Sequence, residues 1–167
     1  MYTSGVADIY AFLRQNGIPF EKFEHPAVFT CEEAERLCPP MPGAHTKNLF
    51  LRDRKGTRHF LVTVGYDKQV DLKALTKVLE TDKLSFASPE RLMKYLGVEP
   101  GAATLLGLVA DTGHAVEFSI DEALWQAEAL LCHPMVNTAT LVIPHAGIER
   151  FLEATGHAPR VISVPSR

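Results

Sequence analysis

Residues 132–140 read Cys-His-Pro-Met-Val-Asn-Thr-Ala-Thr, and they place polar, small and rigid residues between two apolar runs of the chain. The apolar runs predict strands near 129–132 and 138–143, with this stretch as the loop that joins them. Pro134 fixes its own φ and biases His133 toward an extended conformation. The pattern therefore predicts a pocket-lining loop at a sheet edge or in a mouth between sheet and helices.

A second polar stretch supports the interpretation of a site. Residues 42–48 read Pro-Gly-Ala-His-Thr-Lys-Asn and precede the next apolar run. Lys47, followed at once by Asn48, is either a solvated strand end or a contact to an anion. An ordinary structural role stays open for both stretches, because His-Pro is a common loop dipeptide and Asn137 and Thr138 are residue types that often serve turns or strands.

The rest of the chain alternates between helical and extended patterns. Start and stop signals predict helices from Val6 to Gly17, from the capping box at Thr30 to the Pro39-Pro40 pair, after Asp71, from Ser88 to Gly97, after Asp121, and up to Gly156. Strands are predicted near 20–24, 48–52, 59–64, 84–87, 105–109, 114–120 and 161–164, in addition to the two above. We expect 48–52 to pair with 59–64, and 105–109 with 114–120, as hairpins.

These elements predict an α/β fold with a mixed, largely antiparallel sheet and surrounding helices. The 167 residues, of which 46% are hydrophobic, suffice for one sizeable core, and no Pro-, Gly- or Ser-rich segment is long enough to be a linker. We expect one domain that comprises residues 1–167. The N-terminus lacks the pattern of a signal peptide and no run resembles a membrane helix, so we expect a cytoplasmic protein without a membrane partner.

Cysteine and histidine usage predicts neither a disulfide framework nor a metal site. Cys31, Cys38 and Cys132 form no CxxC pair, and the seven histidines occur in no zinc-binding spacing. We expect no metal and no cofactor. A nucleophilic Cys132-His133 pair is disfavoured, because adjacent residues of an extended segment point to opposite sides.

Charge is concentrated in the middle of the chain. Residues 47–94 contain 11 Lys and Arg against 6 Asp and Glu, although the whole chain has a net charge of −3. Such a segment favours weak, salt-sensitive contact with RNA, and a solvated hairpin tip and helix face is the alternative explanation. Lys83 and Arg91 are the candidate contacts to an RNA acceptor stem.

Several segments together resemble one known family: residues 23–26, 29–35, 42–51, 84–88, 96–101 and 133–140. From Phe20 to Val161 the chain resembles, in the same order, the freestanding prolyl-tRNA editing proteins of the YbaK/ProX superfamily, which are related to the editing insertion of bacterial prolyl-tRNA synthetase. The most similar branch, the ProX/PrdX type, hydrolyses alanine mischarged onto proline tRNA. Sister branches remove cysteine, serine or threonine.

This resemblance implies the YbaK editing-domain fold, aminoacyl-tRNA deacylase activity, and the acceptor end of tRNA(Pro) as partner, with prolyl-tRNA synthetase as a second candidate partner. It implies that Lys47 matches the family's required lysine, with Asn48 beside it. His133, Asn137 and Thr138 would belong to the pocket-lining loop, and Gly101 would match the glycine of a second pocket loop. Many relatives have a Pro-Phe pair where this chain has Leu-Leu-Gly at 105–107, which leaves the volume of that wall open.

The chemistry of an aminoacyl ester fits such a site, since hydrolysis of this activated acyl group needs a placed water and donors for the oxyanion rather than a protein nucleophile. Lys47 would bind the terminal phosphate or the ester oxygen, Asn48 or amides near Gly101 would hold the carbonyl, and His133 would orient water or fix the loop. A small pocket would exclude proline by size. Its candidate walls and substrate contacts are Phe29, Thr30, Leu105, Met135 and Val136, although apolar residues of this kind more often belong to a core.

Two other classes of function stay open at this point. The first is a non-catalytic, RNA-binding or synthetase-associated module that uses the basic middle segment. The second is a small-molecule hydrolase or ligand-binding domain of the same fold. Fold alone does not separate these alternatives.

Overall fold

The computed structural model describes residues 6–27 and 40–167. The α-helices are α1 Val6–Gln15, α2 Leu72–Val78, α3 Pro89–Leu96, α4 Glu122–Trp125 and α5 His145–Thr155, and two 3₁₀ helices span Pro100–Ala102 and Leu105–Ala110. The strands are β1 Glu21–Glu24, β2 Thr46–Arg52, β3 His59–Gly65, β4 Ser85–Phe86, β5 Val116–Asp121, β6 Ala129–Cys132, β7 Ala139–Pro144 and β8 Arg160–Ile162. In the described part of the chain, no helix has the length and apolar character needed to cross a membrane.

The strands form two sheets. One has three strands in the order β1-β7-β6, all antiparallel. The other has five strands in the order β4-β2-β3-β5-β8, in which β2 pairs antiparallel with β3 and β4, whereas β5 runs parallel to both β3 and β8. The predicted mixed, largely antiparallel α/β architecture is confirmed.

The five-stranded sheet separates two apolar clusters. On one face, Phe50 and Leu61 join the larger cluster, which also contains residues of α1, α3, α5 and the three-stranded sheet. On the other face, Leu51 and Phe60 pack with Leu75 of α2 in a smaller cluster. Because β3 is covered on both faces, its first six residues are all buried, and the usual alternation of apolar and polar residues is absent there.

Local signals placed many elements correctly. The side chain of Asp71 accepts a hydrogen bond from the backbone of Ala74 and caps α2, and Ser88 caps α3 through the backbone of Arg91. Gly97 and Gly156 end α3 and α5 in the left-handed conformation that glycine adopts without a Cβ penalty. The capping box at Thr30 and the Pro39-Pro40 pair lie outside the described residues.

Two predicted features were wrong. Residues 105–109 are not a strand but belong to the 3₁₀ helix Leu105–Ala110. Its first four residues are all buried, so the sequence has no alternation of apolar and polar positions that would distinguish a strand from a helix. Consequently, β5 has no hairpin partner there and instead pairs parallel with β3 and β8. Asp121 also makes no side-chain cap for α4, because its carboxylate contacts Lys68 at 2.7 Å and the backbone of Val164 at 3.2 Å.

Candidate functional site

The loop that joins β6 and β7 is held tightly at both ends. Cys132 at the end of β6 pairs with Leu141 of β7, and the carbonyl of Thr138 accepts a 3.0 Å hydrogen bond from the backbone N–H of His25. Met135 within the loop has a φ of +70°, a conformation that costs a bulky residue free energy and persists only where the surroundings impose it. The loop is therefore a constrained element.

His133 is oriented by the same loop. Its Nδ1 lies 3.1 Å from the carbonyl oxygen of Ala139, which only accepts, so Nδ1 carries the proton of the neutral ring and Nε2 keeps a lone pair. Burial lowers the pKa of His133 below its ordinary value of 6.5, the hydrogen bond to Ala139 opposes this shift, and the nearby His25 adds to it. At neutral pH the imidazole is thus an uncharged base whose Nε2 can accept a hydrogen bond from water.

His25 is a second histidine of this site that we did not predict. Its Nδ1 lies 2.8 Å from the carbonyl of Pro26 and its Nε2 lies 2.8 Å from the hydroxyl of Thr140. The centre of its ring lies 6.4 Å from the centre of the His133 ring. The repeated His-Pro dipeptide, at residues 25–26 and 133–134, is the sequence signal that could have identified it.

The start of β2 lies beside the end of β6. Ala44 forms a parallel bridge with Leu130, and its backbone exchanges 3.0 Å hydrogen bonds with Ala129 and Leu131. The hydroxyl of Thr46 then donates to the carbonyl of Leu131 at 2.7 Å. Since Leu131 is two residues from His133, these contacts bring the Lys47-Asn48 segment to the His133 loop.

Asn48 is oriented by two hydrogen-bond partners. Thr63, fully buried on β3, donates to Asn48 Oδ1 at 2.6 Å, and the other amide atom faces a carbonyl, which only accepts and so identifies that atom as the NH₂ group. That group lies 3.4 Å from the carbonyl of Ala103, one residue beyond the 3₁₀ helix that contains Gly101. The structure therefore brings the second predicted pocket loop to Asn48, and Thr63 is a further residue that sequence analysis missed.

The side chain of Lys47 points to the face of the five-stranded sheet opposite to that of Asn48. It lies opposite Val64 in the register of β2 and β3, whereas Asn48 lies opposite Thr63, and successive side chains of a strand point to opposite faces. Lys47 is half-buried, and its ammonium group makes no ion pair or hydrogen bond with any described residue. Asn48 thus points to the face of the sheet that carries the larger apolar cluster, to which Met135 of the His133 loop also belongs, whereas Lys47 points to the opposite face.

The remaining predicted residues differ in their surroundings. Met135 and Leu105 are buried in the larger apolar cluster. Val136 and Thr138 line a cleft of about 380 Å³. Asn137 is half-buried on the same loop. Phe29 and Thr30 lie outside the described residues.

The two predicted RNA contacts lie near the hairpin of β2 and β3. Lys83 is exposed and lies two residues before β4. The guanidinium of Arg91 donates to the carbonyl of Gly56 at 3.2 Å and lies 2.9 Å from His59 Nε2, so it ties α3 to the hairpin turn. A role of either residue in RNA binding stays a prediction.

Cys132 is unsuited to nucleophilic chemistry. It is 3% exposed, and burial raises the pKa of its thiol to about 12. Among residues 6–27 and 40–167 there is also no group of three or more His, Cys, Asp or Glu placed to hold a metal ion. The chemistry that the described residues support is therefore activation of water by a neutral imidazole, with an oriented amide on the adjoining segment.

Comparison with known proteins places this arrangement in a family. Residues 25–151 match the model of the aminoacyl-tRNA editing domain, a range that includes both histidines, Asn48 and the second pocket loop. The chain belongs to the aminoacyl-tRNA editing domain family. The resemblance that the sequence indicated is thus confirmed, and so is the expectation of an aminoacyl-tRNA deacylase.

Relatives of this editing domain match over most of their length. The chain is 36% identical to the prolyl-tRNA editing protein ProX of Acetoanaerobium sticklandii, over 93% of this chain and 95% of that protein. It is 40% identical to prolyl-tRNA synthetase associated domain-containing protein 1 of Mus musculus, over 86% of each chain. A crystal structure described as a candidate trans-editing enzyme for prolyl tRNA synthetase has the same fold, with a TM-score of 0.70 at 19% identity over 99% of this chain and 100% of the other.

Proposed function

We propose that this protein edits in trans by hydrolysing the ester of alanyl-tRNA(Pro). The observation that carries the proposal is that hydrogen bonds between residues 44–46 and 129–131 join the segment of the oriented Asn48 amide to that of the neutral, oriented His133, in a member of the aminoacyl-tRNA editing family. The names of the relatives, a prolyl-tRNA editing protein and a prolyl-tRNA synthetase associated protein, support tRNA(Pro) as the RNA.

The proposed mechanism uses water as the nucleophile, since the buried Cys132 cannot serve. Nε2 of His133 accepts a hydrogen bond from the attacking water, and the ring orientation is set by the carbonyl of Ala139. Asn48 and the amides near Gly101 hold the ester carbonyl as negative charge develops on its oxygen. Lys47 supplies positive charge at the terminal phosphate or the ester oxygen, and the vicinal ribose hydroxyl shares the proton transfer.

Specificity is proposed to be steric. The His133 loop is constrained at both ends and at Met135, so its walls do not widen freely for a larger amino acid. A rigid pocket excludes proline because the larger side chain clashes with its walls. Discrimination by binding alone would be weaker, because one methylene group contributes only about 1–3 kcal/mol. A sister-branch deacylase, for cysteine, serine or threonine esters, would keep the same chemistry with a different pocket.

The test is single-turnover deacylation of tRNA(Pro) charged with alanine, proline, serine or cysteine, at saturating protein. We expect loss of alanine alone, and we expect Lys47→Ala to abolish it. Lys73→Ala, which removes an exposed lysine of α2, is the matched control and should keep the wild-type rate.

Each alternative predicts a different outcome. Turnover of serine or cysteine but not alanine would assign the protein to a sister branch. Binding of the RNA without turnover of any ester would favour the non-catalytic module. A full rate in Lys47→Ala would remove the proposed role of the lysine.

A further inference from the structure

The hydroxyl group of Tyr10 is buried without an acceptor for its proton. Tyr10 is 8% exposed, and among the buried side-chain N and O atoms of the described residues its oxygen alone has no hydrogen-bond partner within 3.5 Å; the Lys22 ammonium lies close to it but can only donate. Its ring packs against Phe20, with ring centres 5.5 Å apart. Phenylalanine would keep this packing without the cost of a buried O–H that lacks an acceptor. Within the free protein the donor capacity of the hydroxyl is therefore unused.

Tyr10 lines the cleft of about 380 Å³ that adjoins the candidate site. The other lining residues belong to β1, to the segment that follows it and to the end of the His133 loop: Lys22, Glu24, His25, Val136, Thr138 and Ala139. His25 connects the cleft with the site, since its ring also lies 6.4 Å from that of His133. A ligand that extends from His133 past His25 would enter this cleft.

Two cationic side chains, Lys22 of the cleft and Arg14 of α1, lie against the Tyr10 ring. The ammonium of Lys22 lies 4.9 Å and the guanidinium carbon of Arg14 lies 5.9 Å from the centre of the Tyr10 ring. A hydrogen bond to Glu24, and next one to the Tyr10 oxygen, raise the pKa of Lys22 above its ordinary value of 10.5. Lys22 is therefore charged at physiological pH.

Glu24 does not block an anion from this cation. It pairs with Lys22 at 3.2 Å, and its side chain is 78% exposed. Because exposed ion pairs are weak and their side chains are free to move, a phosphate can displace this carboxylate. In this pair the ammonium of Lys22 attracts an anion, and the carboxylate of Glu24 repels it.

We propose that this cleft binds the phosphodiester group of the RNA next to the aminoacylated terminal nucleotide, with Lys22 as the charge partner and the Tyr10 hydroxyl as the hydrogen-bond donor. The inference rests on the proposed function, since it requires an RNA ester at His133. Phosphate oxygens accept hydrogen bonds from hydroxyl and ammonium groups, so the Tyr10 O–H, which has no acceptor in the free protein, gains one in the complex.

The test compares four variants with the wild type in single-turnover deacylation of alanyl-tRNA(Pro), at several protein and salt concentrations. Lys22→Gln should raise the half-saturating protein concentration about tenfold and reduce the salt slope by about one, with an unchanged maximal rate. Glu24→Gln should lower that concentration. Tyr10→Phe should raise it while raising the melting temperature of the free protein, a combination that a purely structural tyrosine would not give.

Arg167→Gln removes an exposed positive charge at the far end of the chain and is the matched control, with no expected change. The inference is overturned if Lys22→Gln leaves the half-saturating concentration and the salt slope unchanged, or lowers only the maximal rate. Lack of turnover by the wild type would instead refute the proposed function, so the two failures are distinguishable.

Discussion

Thr63→Val should lower the catalytic rate far more than it lowers the stability of the protein. Thr63 is fully buried, and its hydroxyl donates to Asn48 Oδ1 at 2.6 Å. Valine has nearly the same shape but no donor, so the amide oxygen loses its partner and the amide its fixed orientation. An unsatisfied buried acceptor costs about 1–3 kcal/mol. Because Asn48 is half-exposed and water can replace part of the bond, we expect about 1 kcal/mol.

The effect on the rate should be larger than this loss of stability suggests. For a chain of this size, about 1 kcal/mol lowers the melting temperature by about 3 °C, which leaves the protein folded at 25 °C. Loss of one oriented donor to a developing oxyanion typically costs about 100-fold or more in kcat. Since the freed amide still adopts the productive orientation part of the time, we expect a decrease of about 10- to 100-fold.

The assay is single-turnover deacylation of alanyl-tRNA(Pro) at saturating protein, with thermal unfolding of each variant. Thr63→Ser is the control, because it keeps the hydroxyl and removes only a buried methyl group; it should lose stability but keep the rate. A wild-type rate in Thr63→Val, or an equal loss of rate in both variants, would refute the assignment of Thr63 as the residue that positions Asn48.

Three further predictions follow from buried titratable groups. His157→Ala should lower the free energy of unfolding by about 1–3 kcal/mol, because the Asp111 carboxylate loses its 2.9 Å hydrogen bond to the His157 ring and keeps only the backbone donors of Ala115 and Val116; an unchanged melting temperature in calorimetry would contradict this. Burial lowers the pKa of His133, so below pH 6.5 the imidazole takes up a proton more readily in the unfolded chain than in the folded protein, and the free energy of unfolding should decrease as the pH falls. Denaturant titrations should show a weaker decrease for His133→Gln than for the wild type. The same dependence on pH in both proteins would argue against this assignment. Cys132, with a pKa of about 12, should resist iodoacetamide at pH 8 until guanidinium unfolds the protein, and peptide mapping that finds rapid native labelling would contradict its burial.

Local sequence signals succeeded where the structure depends on a few neighbouring residues. Asp71 and Ser88 begin helices by capping backbone N–H groups within the next turn, and Gly97 ends one because its φ of +69° suits a residue without a Cβ. They failed at residues 105–109. There every residue from Leu105 to Leu108 is buried, so no polar residue interrupts the apolar run and shows whether it repeats with the period of a strand or of a helix.

The candidate site was predicted in part for the same reason. His133 and Asn48 stood out because each polar residue adjoins an apolar strand, which is visible in the sequence. Thr63, which orients Asn48, was not visible because it lies 15 residues from it in the sequence, and neither was His25, whose ring meets the hydroxyl of Thr140 115 residues away. Thr63 and Thr140 are, in the sequence, ordinary β-branched residues of apolar strands.

Local periodicity, caps and the order of motifs were enough to predict most elements, the α/β class and the membership of the editing family. The three-dimensional structure was needed to show that β5 runs parallel to β3, that Lys47 and Asn48 point to opposite faces of one sheet, and that the Tyr10 hydroxyl is buried beside the His133 loop. These features depend on register and on contacts between distant segments, which are set when the chain buries its apolar surface and pairs its polar groups as a whole.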